Sequence, residues 1–265
     1  TIDAPVESVK EMEDQLKQTF HLKEVFVSPN LVDDEEISLR DTCRALSGNL
    51  DNYIEDNTVV AVSWGKTLNC LAGQIQPLKA KDIKVVQLNG GVAKSASSTG
   101  ASQIVDALTM AGHGIGYMFP VPAIVDSKHT SEILQEETQV KNVLRLAKEA
   151  EVSIFSIGAL SKDSILYEVE YLKDEDFQAL EKNKAVGDIA SRYFDINGNI
   201  ALKELDDRVV GFGLEELREK EWTIAIAVGV NKVDAIIGAL RAGFMNVLYT
   251  DEKTAREILN RNLLG

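Results

Sequence analysis

Two patterns of apolar and polar positions alternate along the chain. Short runs rich in β-branched residues are typical of buried strands in a parallel sheet, and the stretches between them carry apolar residues at helical spacing. The runs predict strands at 24–27, 58–62, 83–88, 116–119, 152–157, 222–228 and 247–250. The spacing predicts helices at 5–20, 33–49, from 66 onward, 99–111, 129–149, in the second half of 167–184, 214–220, 232–242 and 251–259.

Strands that alternate with helices of this length indicate an α/β fold whose mostly parallel sheet has helices on both faces. The 265 residues are enough for one large domain or two unequal lobes. We expect 1–265 to form one such unit, with a smaller lobe inserted at about 105–205. In that lobe, Asp195–Gly198 is typical of a turn between two short strands.

The charge of the chain restricts its partners. The formal net charge is −14 and no basic run of five or more residues occurs, so the chain repels nucleic acid and anionic membranes. We therefore expect that this chain does not itself contact DNA. It has no signal peptide and no apolar run of 18 residues, which predicts a cytoplasmic protein without membrane contacts. Because it begins with Thr1 and not methionine, we expect it to begin inside a longer protein.

The cysteines and histidines give little support to nucleophilic or metal chemistry. Cys43 and Cys70 offer neither a disulfide framework nor metal-ligand spacing, and their positions on apolar helix faces predict free thiols in the core. His21, His113 and His129 have polar neighbours and no serine or cysteine motif beside them. We predict no catalytic residue, no metal and no cofactor.

The stretch NTVVAVSWGKTLNC, 57–70, indicates a turn that binds an anion. A strand ends there, Ser63 and Gly65 help to break it, and Lys66 and Thr67 open a helix. The free backbone N–H groups and the dipole at a helix start favour an anion, to which Lys66 adds a charge and Thr67 a hydroxyl donor. The two-glycine spacing of a Walker phosphate loop is absent, so we expect a phosphate or carboxylate on a small molecule. The alternative is an ordinary strand-to-helix turn with a surface lysine.

Two further strand ends carry similar residues. They are Gln87, Asn89, Gly90 and Gly91 near the end of the strand at 83–88, and Gly229 and Lys232 after the strand at 222–228. Since parallel strands end at the same edge of a sheet, all three turns can share one pocket. Lysines suit a phosphate and amides suit hydroxyls, so the combination favours a sugar phosphate. For Asn89–Gly91 the alternative is plain turn chemistry. Asp188, in AVGDI, is an acceptor that either holds sugar hydroxyls or caps a helix.

Five motifs, taken in order, resemble the SorC/DeoR-type sugar-binding family, the effector domains of bacterial transcription regulators. They are VSWGKTL, VVQLNGG, FPVPAIVD, AVGDIASRYFDINGNI and GVNKVDAIIGALRAGFMNVLYTDEKTA. The resemblance covers essentially the whole chain. It implies a Rossmann-like fold related to ribose-phosphate isomerase and glucosamine-phosphate deaminase, and a phosphosugar effector. It also implies control of DNA binding through oligomer state, with an N-terminal helix-turn-helix domain that is absent from this chain.

The resemblance also implies roles for individual residues. Gly65, Lys66 and Thr67 would bind the effector phosphate with help from Lys232. The sugar would be lined by Gln87, Asn89 and Gly90, with Asp188 accepting from its hydroxyls. The chain departs from the family at Asn89, because regulators that capture an aldehyde as a Schiff base carry a lysine there. An amide cannot form an imine, which argues for a different phosphosugar held reversibly.

Two functions remain open on such a fold. One is an effector-binding domain that self-associates through helices outside the pocket, with the long helix at 129–149 as the candidate surface. The other is a sugar-phosphate isomerase or deaminase. An enzyme needs a positioned acid and base, and Asp188 has no clear partner in the sequence, so we favour binding.

Overall fold

The computed structural model describes residues 8–92 and 101–263, which contain two sheets. The strands are β1 (Glu24–Ser28), β2 (Val59–Val62), β3 (Lys84–Gln87), β4 (Ile115–Tyr117), β5 (Val152–Ser156), β6 (Gly158–Ala159), β7 (Ala185–Ile189), β8 (Arg192–Asp195), β9 (Trp222–Ile226) and β10 (Val247–Asp251). Seven of them form a sheet in the order β1-β10-β9-β5-β2-β3-β4, and β6-β7-β8 form a second, antiparallel sheet. All neighbours in the large sheet are parallel, which confirms the predicted sheet type.

Helices connect the parallel strands. They are α1 (Val9–Phe20), α2 (Glu35–Asn49), α3 (Lys66–Ala72), α4 (Ala101–Ala111), α5 (Lys128–Glu136), α6 (Thr138–Glu149), α7 (Ile165–Glu168), α8 (Asp174–Lys182), α9 (Lys203–Asp206), α10 (Val233–Ala242) and α11 (Glu252–Leu263). Short 3₁₀ turns occur at Leu50–Asn52, Leu214–Glu219 and Val230–Lys232. The parts of the predicted helices at 5–7 and 99–100 lie outside the described residues.

The start of α1 shows how local sequence sets a helix boundary. The Ser8 side chain accepts from the backbone N–H of Glu11, and the Glu11 carboxylate accepts from the N–H of Ser8. This reciprocal capping satisfies donors that the first turn leaves unpaired. Met12 and Leu16 then face the core, as the helical spacing predicts.

Both faces of the parallel sheet are covered, as the near-continuous apolar strands predict. In β2, Ala61 belongs to an apolar cluster that includes residues of α1, α6, α10 and α11, whereas Val60 and Val62 belong to a second cluster that includes residues of α2, α3 and α4. The alternation follows from the two-residue period of a strand. None of the described helices combines the length and the apolar character that crossing a bilayer requires.

The single helix predicted at 129–149 is wrong, because α5 and α6 are separated at Glu137, whose φ of −62° and ψ of 135° are extended. Ser131 is buried on α5 and Val140 on α6, nine residues later. Nine residues are about two and a half turns, so a continuous helix would point these two residues in opposite directions. The break lets each half bury its own face. In α4, Ile104 and Leu108 are buried, whereas Met110 is exposed.

The small sheet has an apolar cluster of its own, which includes Leu166, Phe177 and Tyr193. The small sheet lies next to the large sheet in the chain, because β6 begins two residues after β5 ends. The turn predicted at Asp195–Gly198 is present, with the N–H of Gly198 donating to the carbonyl of Asp195 over 2.9 Å. Strands β4 and β5, although within 105–205, pair in the parallel sheet. The second sheet therefore begins after β5, although Ala123 and Ile124, from the loop after β4, belong to its apolar cluster. A lobe spanning all of 105–205 stays a prediction.

Candidate functional site

A cavity of about 380 Å³ opens at the carboxyl edge of the parallel sheet, between its strand ends and the β7–β8 hairpin. This is where ligands of open α/β sheets bind. Of the residues that the sequence singles out, those lining the cavity are Ser63, Gly65, Lys66, Thr67, Asn89, Asp188 and Lys232. Three separate strand ends and the small sheet thus meet in one place.

Four of the singled-out residues do not line the cavity. Gln87 is buried in β3, where its side-chain oxygen accepts from the backbone N–H of Phe119 over 3.1 Å. Gly91 pairs with backbone of the loop after β4, whereas the N–H of Gly90 donates to the carbonyl of Val210 over 3.1 Å. A Cβ on Gly90 would clash with the carbonyl of Pro122. Gly229 borders a smaller neighbouring pocket. These positions support the walls of the cavity instead of facing it.

The turn after β2 presents backbone and side-chain donors to the cavity. Gly65 caps α3 with a φ of 134°, a conformation that a side chain would strain. The first N–H groups of α3 have no carbonyl partners within the helix, and no described residue outside it accepts from them, so they are available to a ligand. The indole N–H of Trp64 donates to the carbonyl of Gly90 over 2.8 Å, which fastens this turn to the one after β3. Lys66 is exposed at the rim, and Thr67 is buried.

Lys232 also lines the cavity, at the end of the 3₁₀ turn that follows β9. Burial lowers its pKa, while the carboxylates of Glu35 and Asp188 oppose that shift and Lys66 adds to it. Within the described part of the chain, the Lys232 ammonium has no hydrogen bond or ion pair. An ammonium held in this way is costly to desolvate and is available to an anion.

The hairpin that closes the cavity has a strained turn. Ile189 pairs with Arg192, so Ala190 and Ser191 alone connect β7 to β8, and both have positive φ, 50° and 70°. This is the backbone of a type I′ turn, which usually takes asparagine and glycine. For ordinary L-residues the conformation costs about 1–2 kcal/mol each. Strain of this kind is often stored where it positions a functional group.

Ser191 positions two acceptors. Its backbone N–H donates to Asp188 Oδ2 over 3.1 Å, and its hydroxyl accepts from Asn89 Nδ2 over 3.0 Å. The latter bond orients Asn89 so that its Oδ1, although buried, has no hydrogen-bond partner among the described residues. An unsatisfied buried oxygen of this kind can accept a hydrogen bond from a ligand, for example from a hydroxyl group.

Asp188 lies at the base of the cavity. Burial raises its pKa to about 6, although the Ser191 N–H and the Lys232 charge pull in the opposite direction. Its Oδ1 is packed against Gly158, where any Cβ would collide with it. The carboxylate is therefore fixed by backbone on two sides and leaves its remaining lone pairs to the cavity.

Ser191, Gly158 and Ser156 are lining residues that the sequence analysis missed. Ser156 is the last residue of β5 and Gly158 lies two residues further on, so applying the carboxyl-edge rule to the strand at 152–157 identifies them. Ser191 has no comparable signal, because Ala-Ser is not a typical sequence for a turn with two positive φ angles.

Three comparisons relate the chain to known proteins. The Sugar-bind family of sugar-binding domains matches residues 4–260. The chain is 31% identical over 256 residues to the deoxyribonucleoside regulator of Bacillus subtilis strain 168, covering 97% of this chain and 82% of that protein. It is 29% identical over 262 residues to the transcriptional regulator LsrR of Escherichia coli K12, covering 97% and 80%. A solved DeoR family transcriptional regulator from Listeria monocytogenes superposes with a TM-score of 0.87 at 27% identity, covering 94% of this chain and 99% of that one.

Proposed function

Because this chain belongs to the Sugar-bind family, we propose that it is the effector-binding domain of a SorC/DeoR-type transcription regulator and that its effector is a phosphorylated sugar. The observation that carries the proposal is the division of charge within one cavity. Donors and cations lie at the turn after β2 and at Lys232, and acceptors lie at Asn89 and Asp188. A phosphate at one end and hydroxyls at the other match that division.

The phosphate is placed between the Gly65–Thr67 turn and Lys232. There the first N–H groups of α3 supply directed donors, and Lys232 supplies a charge that lacks a partner within the described residues. The sugar extends toward the hairpin, where Asn89 Oδ1 and Asp188 accept from its hydroxyls. Because Asn89 supplies an amide and not an amine, the effector binds there without an imine.

A thermal-shift panel of phosphorylated pentoses and hexoses, with the same sugars lacking phosphate, tests the proposal. A ligand that binds only the folded state, at 100 times its dissociation constant, raises the free energy of unfolding by about 2.7 kcal/mol. We expect one or more phosphorylated sugars to raise the melting temperature and their unphosphorylated forms to leave it unchanged. A panel without any phosphate-dependent shift contradicts the proposal.

A test for catalytic turnover distinguishes the alternative function, an isomerase or deaminase, from an effector-binding domain. Asp188, with its pKa raised to about 6, is the group that proton transfer to a sugar carbon would use. Steady-state assays with the sugar phosphates that bind are expected to show no turnover above background. Turnover that disappears in Asp188→Asn would replace the binding proposal with an enzymatic one.

The partners of the domain follow from the same proposal. We assign operator DNA to an N-terminal domain of the full-length protein, because the chain covers 82% and 80% of two regulators and carries a net charge of −14. This chain alone is therefore expected not to retard operator DNA in a gel. A salt-sensitive shift by this chain would contradict that assignment.

We also propose that the domain pairs with a second copy along β4 instead of along the helix face at 129–149. Among the described residues β4 is the edge strand of the parallel sheet, and Ile115 within it is 60% exposed. Met110 and Met118, on either side of β4 in the chain, are 78% and 42% exposed. An unpaired strand edge with apolar neighbours readily adds another strand. Sedimentation is expected to show a dimer or larger species that Ile115→Glu converts to monomer. A strict monomer at high micromolar concentration, with and without ligand, argues against self-association.

A further inference from the structure

The charged side chains that line the cavity at the carboxyl edge of the parallel sheet are of both signs. The cations are Lys66 and Lys232, and the carboxylates are those of Glu35, Asp163 and Asp188. A ligand whose only charge is a phosphate would bring a further anion to a lining in which carboxylates already outnumber ammonium groups. A ligand that also carries a positive charge is the better electrostatic complement of this lining.

Asp188 is the carboxylate that is best placed to receive such a charge. It is half-buried, and among the described residues its one hydrogen-bond donor is the N–H of Ser191, over 3.1 Å. No lysine, arginine or histidine of the described residues forms an ion pair with it. A carboxylate can accept about four hydrogen bonds, and charges taken out of water are normally paired. The remaining acceptor sites of Asp188 therefore suit a donor that is positively charged.

Asn89 supplies a second open acceptor that is linked to Asp188 through Ser191. Its side chain is 2% exposed, and its Oδ1 has no hydrogen-bond partner among the described residues. Its Nδ2 donates to the Ser191 hydroxyl, and the Ser191 N–H donates to Asp188. The atoms of Asn89 and Asp188 that remain without a protein donor are thus all oxygens. An ammonium has three donors and no acceptor, whereas a hydroxyl has one donor and two acceptor lone pairs, so the ammonium is the better complement.

An aromatic ring lies on the same face of the hairpin as Asp188. Tyr193 is opposite Asp188 in the register of β7 and β8, and both residues line the cavity. Side chains directly opposite each other in an antiparallel pair project to the same face, with Cβ atoms about 4.5–5.5 Å apart. Aromatic rings attract cations through the negative charge of their faces. A carboxylate, an amide oxygen and an aromatic ring together suit an ammonium group.

We propose that the effector is an amino sugar phosphate, with its ammonium group bound by Asp188 and Asn89 and its phosphate bound at the Gly65–Thr67 turn. The inference rests on the proposed function, because it assigns a second charged group to the ligand of the same cavity. The ammonium gives Asp188 a counter-charge and gives the Asn89 oxygen its missing donor. A bound ammonium also lowers the pKa of Asp188, which burial raises in the unliganded protein.

Pairs of ligands that differ in a single group test the inference. Glucosamine 6-phosphate differs from glucose 6-phosphate only in an ammonium that replaces a hydroxyl, and galactosamine 6-phosphate differs from galactose 6-phosphate in the same way. Titration calorimetry at pH 7, with EDTA present to exclude divalent cations, is expected to show roughly tenfold tighter binding of at least one amino form than of its hydroxyl counterpart, the gain from one charged hydrogen bond. N-acetylglucosamine 6-phosphate, whose nitrogen carries no charge, is expected to bind no better than glucose 6-phosphate.

The outcomes separate this inference from the proposed function. If neither amino form binds more tightly than its hydroxyl counterpart, the ammonium assignment is overturned, while phosphate-dependent binding of the hydroxyl forms leaves the proposed function standing. If no ligand of the panel binds in a phosphate-dependent way, the proposed function is rejected together with the inference.

Asp188→Asn connects the preference for the amino form to a particular residue. The variant keeps the shape of the side chain and an acceptor for the Ser191 N–H but removes the negative charge. The ratio of the affinities for glucosamine 6-phosphate and glucose 6-phosphate is expected to fall roughly tenfold. A residue that only supports the hairpin would weaken both ligands alike, so an unchanged ratio in Asp188→Asn overturns the assignment. Asp126→Asn, at a 95% exposed side chain outside the cavity, is the control for net charge and is expected to keep the wild-type ratio.

Discussion

Lys232→Met is expected to weaken binding of the phosphorylated sugar by roughly a hundredfold while the unliganded protein keeps or gains stability. Lys232 has no direct partner among the described residues, and burial lowers its pKa. A charged hydrogen bond is worth about 1.5–3 kcal/mol, or roughly tenfold to a hundredfold in affinity, and a half-buried charge without a protein partner lies toward the upper end. Methionine keeps most of the apolar stem and removes the cost of the desolvated ammonium.

Lys66→Met is the matched comparison. Lys66 borders the same cavity but is exposed, so water screens its charge, and we expect a loss of roughly tenfold or less. Lys84→Met, at the amino end of β3 and outside the cavity, is the control that changes net charge alone. Titration calorimetry with the sugar phosphate and its unphosphorylated form measures all three variants. Equal affinity in Lys232→Met and wild type would remove Lys232 from the phosphate site.

The pH dependence of the free energy of unfolding gives a second test of the environment of Lys232. Because its pKa is lower in the folded protein than in the unfolded chain, the folded state binds fewer protons between the two values. The contribution of Lys232 to the free energy of unfolding therefore rises as pH increases through that interval. Lys232→Met removes this rise, and a difference curve between the two proteins isolates it.

The architecture was largely readable from the sequence because it depends on local patterns. In the run Thr58–Val62 the apolar residues are consecutive, so both faces of the strand are apolar, as a strand covered on both faces requires. The residues of β2 are buried or half-buried, as this pattern predicts. The break at Glu137 was not readable, since the apolar spacing is helical on either side of it. The break becomes visible only in the folded protein, where Ser131 on α5 and Val140 on α6 are both buried. One continuous helix could not bury both of these residues.

The site was readable to the extent that it lies at strand ends. Lys66, Asn89 and Lys232 follow parallel strands, and the common carboxyl edge brings them to one cavity. The orientation of Asn89 was not readable, because it depends on Ser191 in a turn whose positive φ angles come from hairpin register. Gln87 precedes Asn89 by two residues, but the side-chain oxygen of Gln87 accepts a hydrogen bond from the backbone N–H of Phe119 and does not face the cavity. Tertiary contacts thus decide which strand-end side chains face the ligand.

Asp188→Asn is expected to stabilise the unliganded protein above pH 7 while weakening its affinity for the sugar phosphate. Burial raises the pKa of Asp188 from 3.8 to about 6, so between these values the folded protein binds a proton more tightly than the unfolded chain does. The free energy of unfolding of the wild type therefore falls as pH rises from about 4 to about 6, and stays lowered above that range. At about 1.4 kcal/mol per pH unit, the loss is on the order of 2–3 kcal/mol.

Asparagine has nearly the shape of aspartate but does not titrate, so it escapes this loss. Its side-chain oxygen can still accept from the Ser191 N–H, whereas its affinity for sugar hydroxyls falls because a neutral acceptor replaces a charged one. Urea unfolding at several pH values is expected to show wild type and variant converging near pH 4 and the variant more stable by on the order of 2–3 kcal/mol near pH 7.5. Asp126→Asn, at a position whose side chain is 95% exposed, serves as the control for net charge. Parallel curves for Asp188→Asn and wild type across this range would show that Asp188 is solvated in the unliganded protein and that the acceptor end of the cavity is not preorganised.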